Sequence, residues 1–173
     1  MDKKYYKKIS KTPENFTDII MASDGEVLTY LCFLGHTDAR QDILDYSEKD
    51  LPIFEETARW LDIYFSGRNP DFVPEYILEN ATDFRSEVTE HMLDIKFGEV
   101  TTYGDIAKSI AAKRGIKKMS ARAVGGAVGS NPISIIVPCH RVIGSGKAIT
   151  GYGGGINNKI ELLKLEGYTD FKL

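Results

Sequence analysis

The sequence predicts an α+β fold: a small antiparallel sheet with one helix in the first half, and a mostly helical second half containing a helix-turn-helix. Three observations carry this. The run IIMASDGEVLTYLCFLG sets two apolar segments around Asp24-Gly25, a turn pair that favours hairpins. From about residue 83 onward, apolar residues recur at helical spacing. The charge also changes sign: residues 1–82 hold 9 Lys+Arg against 16 Asp+Glu, and residues 83–173 hold 13 against 9. A chain of 173 residues suits one ordinary domain or two small ones, and the division expected is 1–80 and 81–173.

The elements follow in order. MDKKYYKKIS reads as a solvated, charged tail without the apolar core of a signal peptide. In the hairpin, Cys32 reads as a small core residue. PIFEETARWLDIYFSG carries a helical stripe at Phe54, Ala58, Leu61 and Phe65 that Gly67 can stop. RNPDFVPEYILENATDF, rich in Pro and Asn, is a linker or an extended edge. FRSEVTEHMLDI sets Phe84, Val88, His91/Met92 and Ile95 on one helical face. TTYGDIAKSIA opens a helix capped by Thr101 or Thr102, and Ser120 can cap SARAVGGAVGSN, where nearly every residue after Arg122 is small. ISIIV reads as a buried strand ending at Pro138. NNKIELLKLEG is the last helix, with Ile160, Leu162 and Leu163 inward and Gly167 ending it.

Composition excludes several classes. No apolar stretch approaches the roughly 20 residues of a membrane span. Two distant cysteines, Cys32 and Cys139, form no disulfide framework and point to a reducing, cytoplasmic setting. Gly146-Lys147 lacks the upstream glycine and following hydroxyl of a phosphate loop. The glycines of GYGGG suit tight turns or close approach of backbone to a ligand. Lys108, Lys113, Arg114, Lys117, Lys118 and Arg122 cluster, either as a solvated loop or as a face for a polyanion.

The chemistry concentrates in IIVPCHRVIGSG. Pro138 fixes the backbone before Cys139, and His140 offers a base beside the thiol. A thiol beside an imidazole loses its proton more readily and becomes a strong nucleophile. Two other readings of Cys139 stand beside this one: a buried core thiol, or a metal ligand. The metal reading is the weakest, because two Cys and three His show no paired ligand spacing.

GEVTTYGDIA and the later SARAVGGAVGSNPISIIVPCHRVIGSGKAITGYGGGINNKIELLKLEG resemble the O6-alkylguanine-DNA alkyltransferases, the methylated-DNA–protein-cysteine methyltransferases. The likeness covers residues 84–167, with PCHRV, ARAVG, the Asn-Pro pair and GYGGG…LLKLEG in the family's order. The first half matches only in outline. The resemblance implies a ribonuclease H-like first domain and a winged-helix-like second. It implies direct DNA repair, by irreversible, stoichiometric transfer of the alkyl group from O6-alkylguanine to Cys139 after base flipping. O4-alkylthymine is a second candidate substrate. No cofactor and no metal are implied. The partner implied is double-stranded DNA carrying alkylated guanine, bound by a monomer through the minor groove.

The same resemblance assigns residues. His140 and Glu166 match the histidine and glutamate that activate the thiol through a water. Tyr103 matches the tyrosine that serves the leaving base, and Asn131 the asparagine that braces the active-site turn. Val142, Tyr152, Gly153 and Gly154 match the substrate pocket. Arg122 matches the arginine finger that fills the gap left by the flipped base. Thr102, Ala121, Ala123 and Gly125 match positions that meet DNA. Independently of the family, Glu166 at a helix C-terminus opposes the macrodipole, so a local partner is expected.

The chain also departs from the family. Gly153 stands where relatives often carry Ser or Ala, Glu161 where a Trp is common, and Gly129 where some have Arg; zinc ligands in the first half are not recognisable. The related alkyltransferase-like proteins carry Trp at the cysteine, so Cys139 argues against that non-catalytic reading. Two rivals remain open: a lesion sensor without turnover, and a cysteine hydrolase using Cys139 and His140.

Overall fold

The structure, a computed structural model, describes residues 2–36 and 40–173. Strands β1 (Tyr6–Ser10), β2 (Ile19–Ser23) and β3 (Leu28–Phe33) are antiparallel. After one helical turn, α1 (Gln41–Leu44), the short β4 (Ser47–Glu48) pairs with β1 in parallel, giving the order β3-β2-β1-β4. The predicted hairpin is present. Asp24 Oδ1 accepts from Glu26 N and Val27 N, Ser23 Oγ accepts from Gly25 N, and Gly25 takes φ +109°. That is the turn chemistry for which Asp-Gly is suited. Cys32 is buried, facing a small cluster with Ile20, Ala22, Tyr30 and Ile43.

The reading of the N-terminus as a solvated tail fails at Tyr6–Ser10. This segment forms β1, whose backbone supplies the partners that β2 would otherwise lack on that side. Its lysines stay at the surface, Lys8 paired with Asp50. Helix α2 (Pro52–Phe65) forms where expected, and Gly67 (φ +86°) follows its end. Its buried face is rotated from the predicted stripe. Trp60 and Tyr64, stacked at 5.4 Å, turn inward with Phe54 and Leu61, while Ala58 and Phe65 sit at the margin. The helix has a wide apolar arc, and the larger rings take its centre. Residues 68–82 behave as the extended edge: Leu28 N donates to Glu75 O (2.9 Å) and Ile77 N to Leu28 O (3.0 Å).

In the second half, α3 (Asp83–Leu93) starts at Thr82, whose side chain accepts from Arg85 N. The two-residue β5 (Thr101–Thr102) leads into α4 (Tyr103–Arg114), capped by Thr102 through Asp105 N and ended by Gly115 in the left-handed region. Ser120 caps α5 (Ala121–Gly129) through Ala123 N, completing the helix-turn-helix. Strand β6 (Val142–Ile143) pairs with β5 in parallel. The last helix is α6 (Ile156–Leu165). Ile160, predicted inward, is only half-buried; Asn158, Lys159, Leu162 and Leu163 form the inner face. Two polar residues can occupy that face because each finds a partner there: Asn158 donates to Gly154 O and Thr17 Oγ1, and Lys159 to Val142 O.

One apolar cluster crosses both halves, joining Leu31, Phe54, Met92, Ile110, Val137 and Leu162. Among the described residues, no helix is long and apolar enough to cross a membrane.

Candidate active site

The segment read as a buried strand, ISIIV, is buried but is not a strand. It folds into a tight turn, with Ile135 at φ +70° and the backbone bonds Ile136 N to Ser134 O and Val137 N to Ile133 O. Asn131 explains this. Its Nδ2 donates to Val137 O (2.8 Å) and Ile133 O (3.3 Å), and its Oδ1 accepts from Ile133 N (3.0 Å). A β-branched residue in the left-handed region costs on the order of 1–3 kcal/mol and persists only where its surroundings over-determine it. Here the carboxamide clamp and near-complete burial of Ile135 do so. The first half contributes as well: Leu31 N donates to Pro132 O and Ser134 N to Leu31 O, so β3 holds the turn from outside.

Beyond the turn, Cys139–Arg141 forms one turn of 3-10 helix. Cys139 is 6% exposed and His140 is fully buried. His140 Nε2 lies 2.7 Å from Glu166 Oε1. The same oxygen accepts from Tyr64 Oη (2.7 Å) and Arg141 Nη2 (2.9 Å), while Oε2 accepts from Arg141 Nε (2.9 Å) and Gly98 N (3.1 Å). Burial opposes ionisation of Glu166, but hydrogen bonds from His140 and Arg141, with the guanidinium charge, outweigh it and hold the carboxyl well below its usual range. An ionised carboxylate only accepts, so Nε2 carries a proton. Burial pushes His140 below its ordinary value, with Glu166 pulling partly back, so the resting imidazole is neutral. Its Nδ1 is then a buried lone pair, and among the described residues no protein donor reaches it. This is a base held in one tautomer.

A pocket of about 50 Å³ opens beside the thiol, lined by Tyr103, Gly125, Cys139, Tyr152, Gly153 and Lys159 among others. Tyr152 Oη lies 3.9 Å from Cys139 Sγ. Tyr103 Oη accepts from Thr150 Oγ1 (3.1 Å), which leaves its own proton to donate. Lys159 Nζ donates to Val142 O (2.7 Å) and lies about 6 Å from the rings of Tyr103 and Tyr152. Burial lowers its pKa to about 8, against an upward pull from Cys139.

The predicted residues divide by place. Cys139, Tyr103, Tyr152, Gly153 and Gly125 meet at the pocket, with His140 and Glu166 behind it and Asn131 bracing its turn. Val142 and Gly154 stand outside its lining. Val142 is in β6, and a Cβ on Gly154 would come within 2.9 Å of Tyr152 and Phe33, so packing requires that glycine. Thr102 caps α4, while Ala121, Arg122 and Ala123 are exposed in the first turn of α5. The basic cluster splits: Arg114 pairs with Glu87 and Lys113 with Glu90, whereas Lys108, Lys117 and Lys118 are exposed.

Sequence reading missed Tyr64, Arg141 and Lys159. Lys159 had a usable signal, since it stands three and four residues before Leu162 and Leu163 on the buried face of α6. Arg141 inside PCHR has no signal beyond its charge, and Tyr64 reads as one more aromatic of α2.

The profile of the family described as 6-O-methylguanine DNA methyltransferase, DNA binding domain, matches residues 83–168. The chain is 43% identical to the methylated-DNA–protein-cysteine methyltransferase of Mycobacterium tuberculosis over 86% of this chain and 85% of that one. It is 36% identical to the protein of that name from Haemophilus influenzae, over 86% and 79%. The crystal structure of the M. tuberculosis protein OGT in complex with DNA is similar at a TM-score of 0.75 and 41% identity, over 94% of this chain and 91% of that one.

Proposed function

Because the chain belongs to the methylated-DNA–protein-cysteine methyltransferase family, we propose that it binds DNA and repairs O6-alkylguanine directly, by moving the alkyl group onto Cys139. The observation that carries this reading is the thiol at the edge of a small pocket, adjacent in the chain to an imidazole that a carboxylate holds in one tautomer. His140 Nδ1 takes the thiol proton, through a water in the manner of the family. The Cys139 sulfur attacks the alkyl carbon, the C–S bond forms, and the C–O6 pair leaves on guanine. Guanine takes a proton in turn, and we assign Tyr103 as its donor, because it lines the pocket and, accepting from Thr150, keeps its own proton to give. No cofactor is needed, because the thiol supplies both electrons of the new bond. The thioether has no route back to a thiol, so each molecule acts once.

The pocket cannot be reached by a base stacked in a duplex, so the nucleotide must be flipped out. We assign the exposed first turn of α5 to the minor groove, where Ala121 and Ala123 permit close approach and Arg122 fills the vacated stack. Residues 81–173 then carry DNA contact and acceptor, residues 1–80 support them, and the protein works as a cytoplasmic monomer.

Intact-protein mass after incubation with an O6-methylguanine duplex tests this. A permanent gain of one methyl group per protein, with no product beyond one equivalent, is expected. Product beyond one equivalent would indicate a hydrolase, and absence of any mass gain a lesion sensor.

A further inference from the structure

The acid–base pair is not built from the second half alone. Tyr64 reaches it from α2, in the first half, and its hydroxyl donates to Glu166 Oε1 at 2.7 Å. That is the oxygen that accepts from His140 Nε2, itself 3.4 Å from the Tyr64 hydroxyl. Both Tyr64 and Glu166 are buried. The ring is fixed by stacking on Trp60 and by T-shaped contacts with Phe65 and Phe97. A buried tyrosine hydroxyl must find a partner, and the partner this one takes is the oxygen that serves the imidazole.

We propose that Tyr64 is a positioning residue that tempers the His140–Glu166 pair, by drawing on the carboxylate oxygen that the imidazole already shares with Arg141. A carboxylate oxygen shared among more donors is a weaker acceptor for each. The Tyr64 proton therefore reduces the pull of Glu166 on His140, keeps the imidazole less basic, and makes proton transfer from Cys139 less favourable. Arg141 and Gly98 N–H hold the carboxylate's orientation without Tyr64. Its hydroxyl is thus free to adjust strength without being needed for placement. The charged and titratable groups around the pair are Tyr64 from α2, Cys139 and Arg141 from the 3-10 turn, Tyr152 from the following loop, and Lys159 and Glu166 from α6 and its end. Burial, then Glu166, raises Tyr64 well above an ordinary tyrosine, so it stays a donor throughout the working range.

The proposal rests on the reading of His140 as the base for Cys139. Its test is the pH dependence of Cys139 modification in the full chain, read by peptide mass with two probes, free O6-benzylguanine and iodoacetamide. Tyr64→Phe keeps the ring and removes the donor. It is expected to move the acid limb to lower pH, so that modification there is up to about tenfold faster, one pKa unit, with the plateau unchanged. Glu166→Gln is expected to move the limb the opposite way, and in that background Tyr64→Phe should add nothing. No shift would make Tyr64 a packing residue, and an upward shift would make it a support for Glu166; either overturns the proposal. If the unmutated protein reacts with iodoacetamide but not with O6-benzylguanine, the alkyl-transfer reading fails, while the iodoacetamide limb still tests Tyr64. Should Tyr64→Phe not fold, NMR of the unmutated protein decides: a slowly exchanging Tyr64 hydroxyl proton with a nuclear Overhauser contact to the His140 ring is expected, and a rapidly exchanging one overturns it.

Discussion

The first turn of α5 and the turn at Cys139 belong to the same half of the chain and are built on opposite terms. At α5, Ala121, Arg122 and Ala123 are exposed, and one capping serine is the main local constraint. At Cys139, every neighbour is fixed: a clamped asparagine, a strained isoleucine, and a carboxylate accepting from four different residues. The difference suits the two tasks proposed for them. Contact with a long polyanion needs surface and tolerates looseness. Making a thiolate needs groups held in place away from water.

The largest expected effect cuts the buried side alone. Cys139→Ser should abolish alkyl transfer and leave DNA affinity intact, since a hydroxyl is far less nucleophilic and the contacts we propose to DNA lie on α5. Single-turnover assays and a binding titration check both halves of that statement; a Ser variant that still transfers would separate Cys139 from the chemistry. Next, Arg122→Ala should slow repair of duplex by roughly tenfold to a hundredfold at saturation, equivalent to about 1–3 kcal/mol of unstacking returned to the barrier. If instead the loss disappears at low salt, Arg122 is a phosphate contact.

Glu166→Gln should have a smaller effect, on duplex and free base alike. The neutral amide no longer favours the imidazolium, so the acid limb of the rate moves to higher pH; a limb that stays put would make Glu166 purely structural. The smallest effect concerns stability. Lys159 has a folded pKa of about 8 against 10.5 for the unmodified side chain, so between those values the unfolded chain binds more protons and stability rises with pH. The gain should be visible from about pH 8 to 10, above which the raised tyrosines Tyr64 and Tyr152 act in the opposite direction. Thermal melts of the protein and of Lys159→Met compare the two slopes, and the Met variant should lose the rise.

The two regions also differed in how far the sequence reveals them. Helix caps, the Asp-Gly hairpin and the small-residue helix were legible because they depend on neighbours in the chain: Thr102, Ser120 and Gly25 each act within three residues. The thiol, the imidazole and Glu166 were legible through motif order. The turn at Ile133–Val137 was not, because an apolar β-branched run reads as a strand unless the side chain of Asn131 is known to bond within it. Tyr64 was not legible either: it lies 102 positions from Glu166, and periodicity shows that a residue faces inward without showing what it meets.

The division between the two regions is tested most directly by measuring Arg122→Ala and Glu166→Gln side by side at saturating substrate, on methylated duplex and on free O6-benzylguanine. The account predicts that Arg122→Ala is slow on duplex and normal on free base, whereas Glu166→Gln is slowed by the same factor on both. Equal losses on both substrates for Arg122→Ala, or a Glu166→Gln defect confined to duplex, would contradict it.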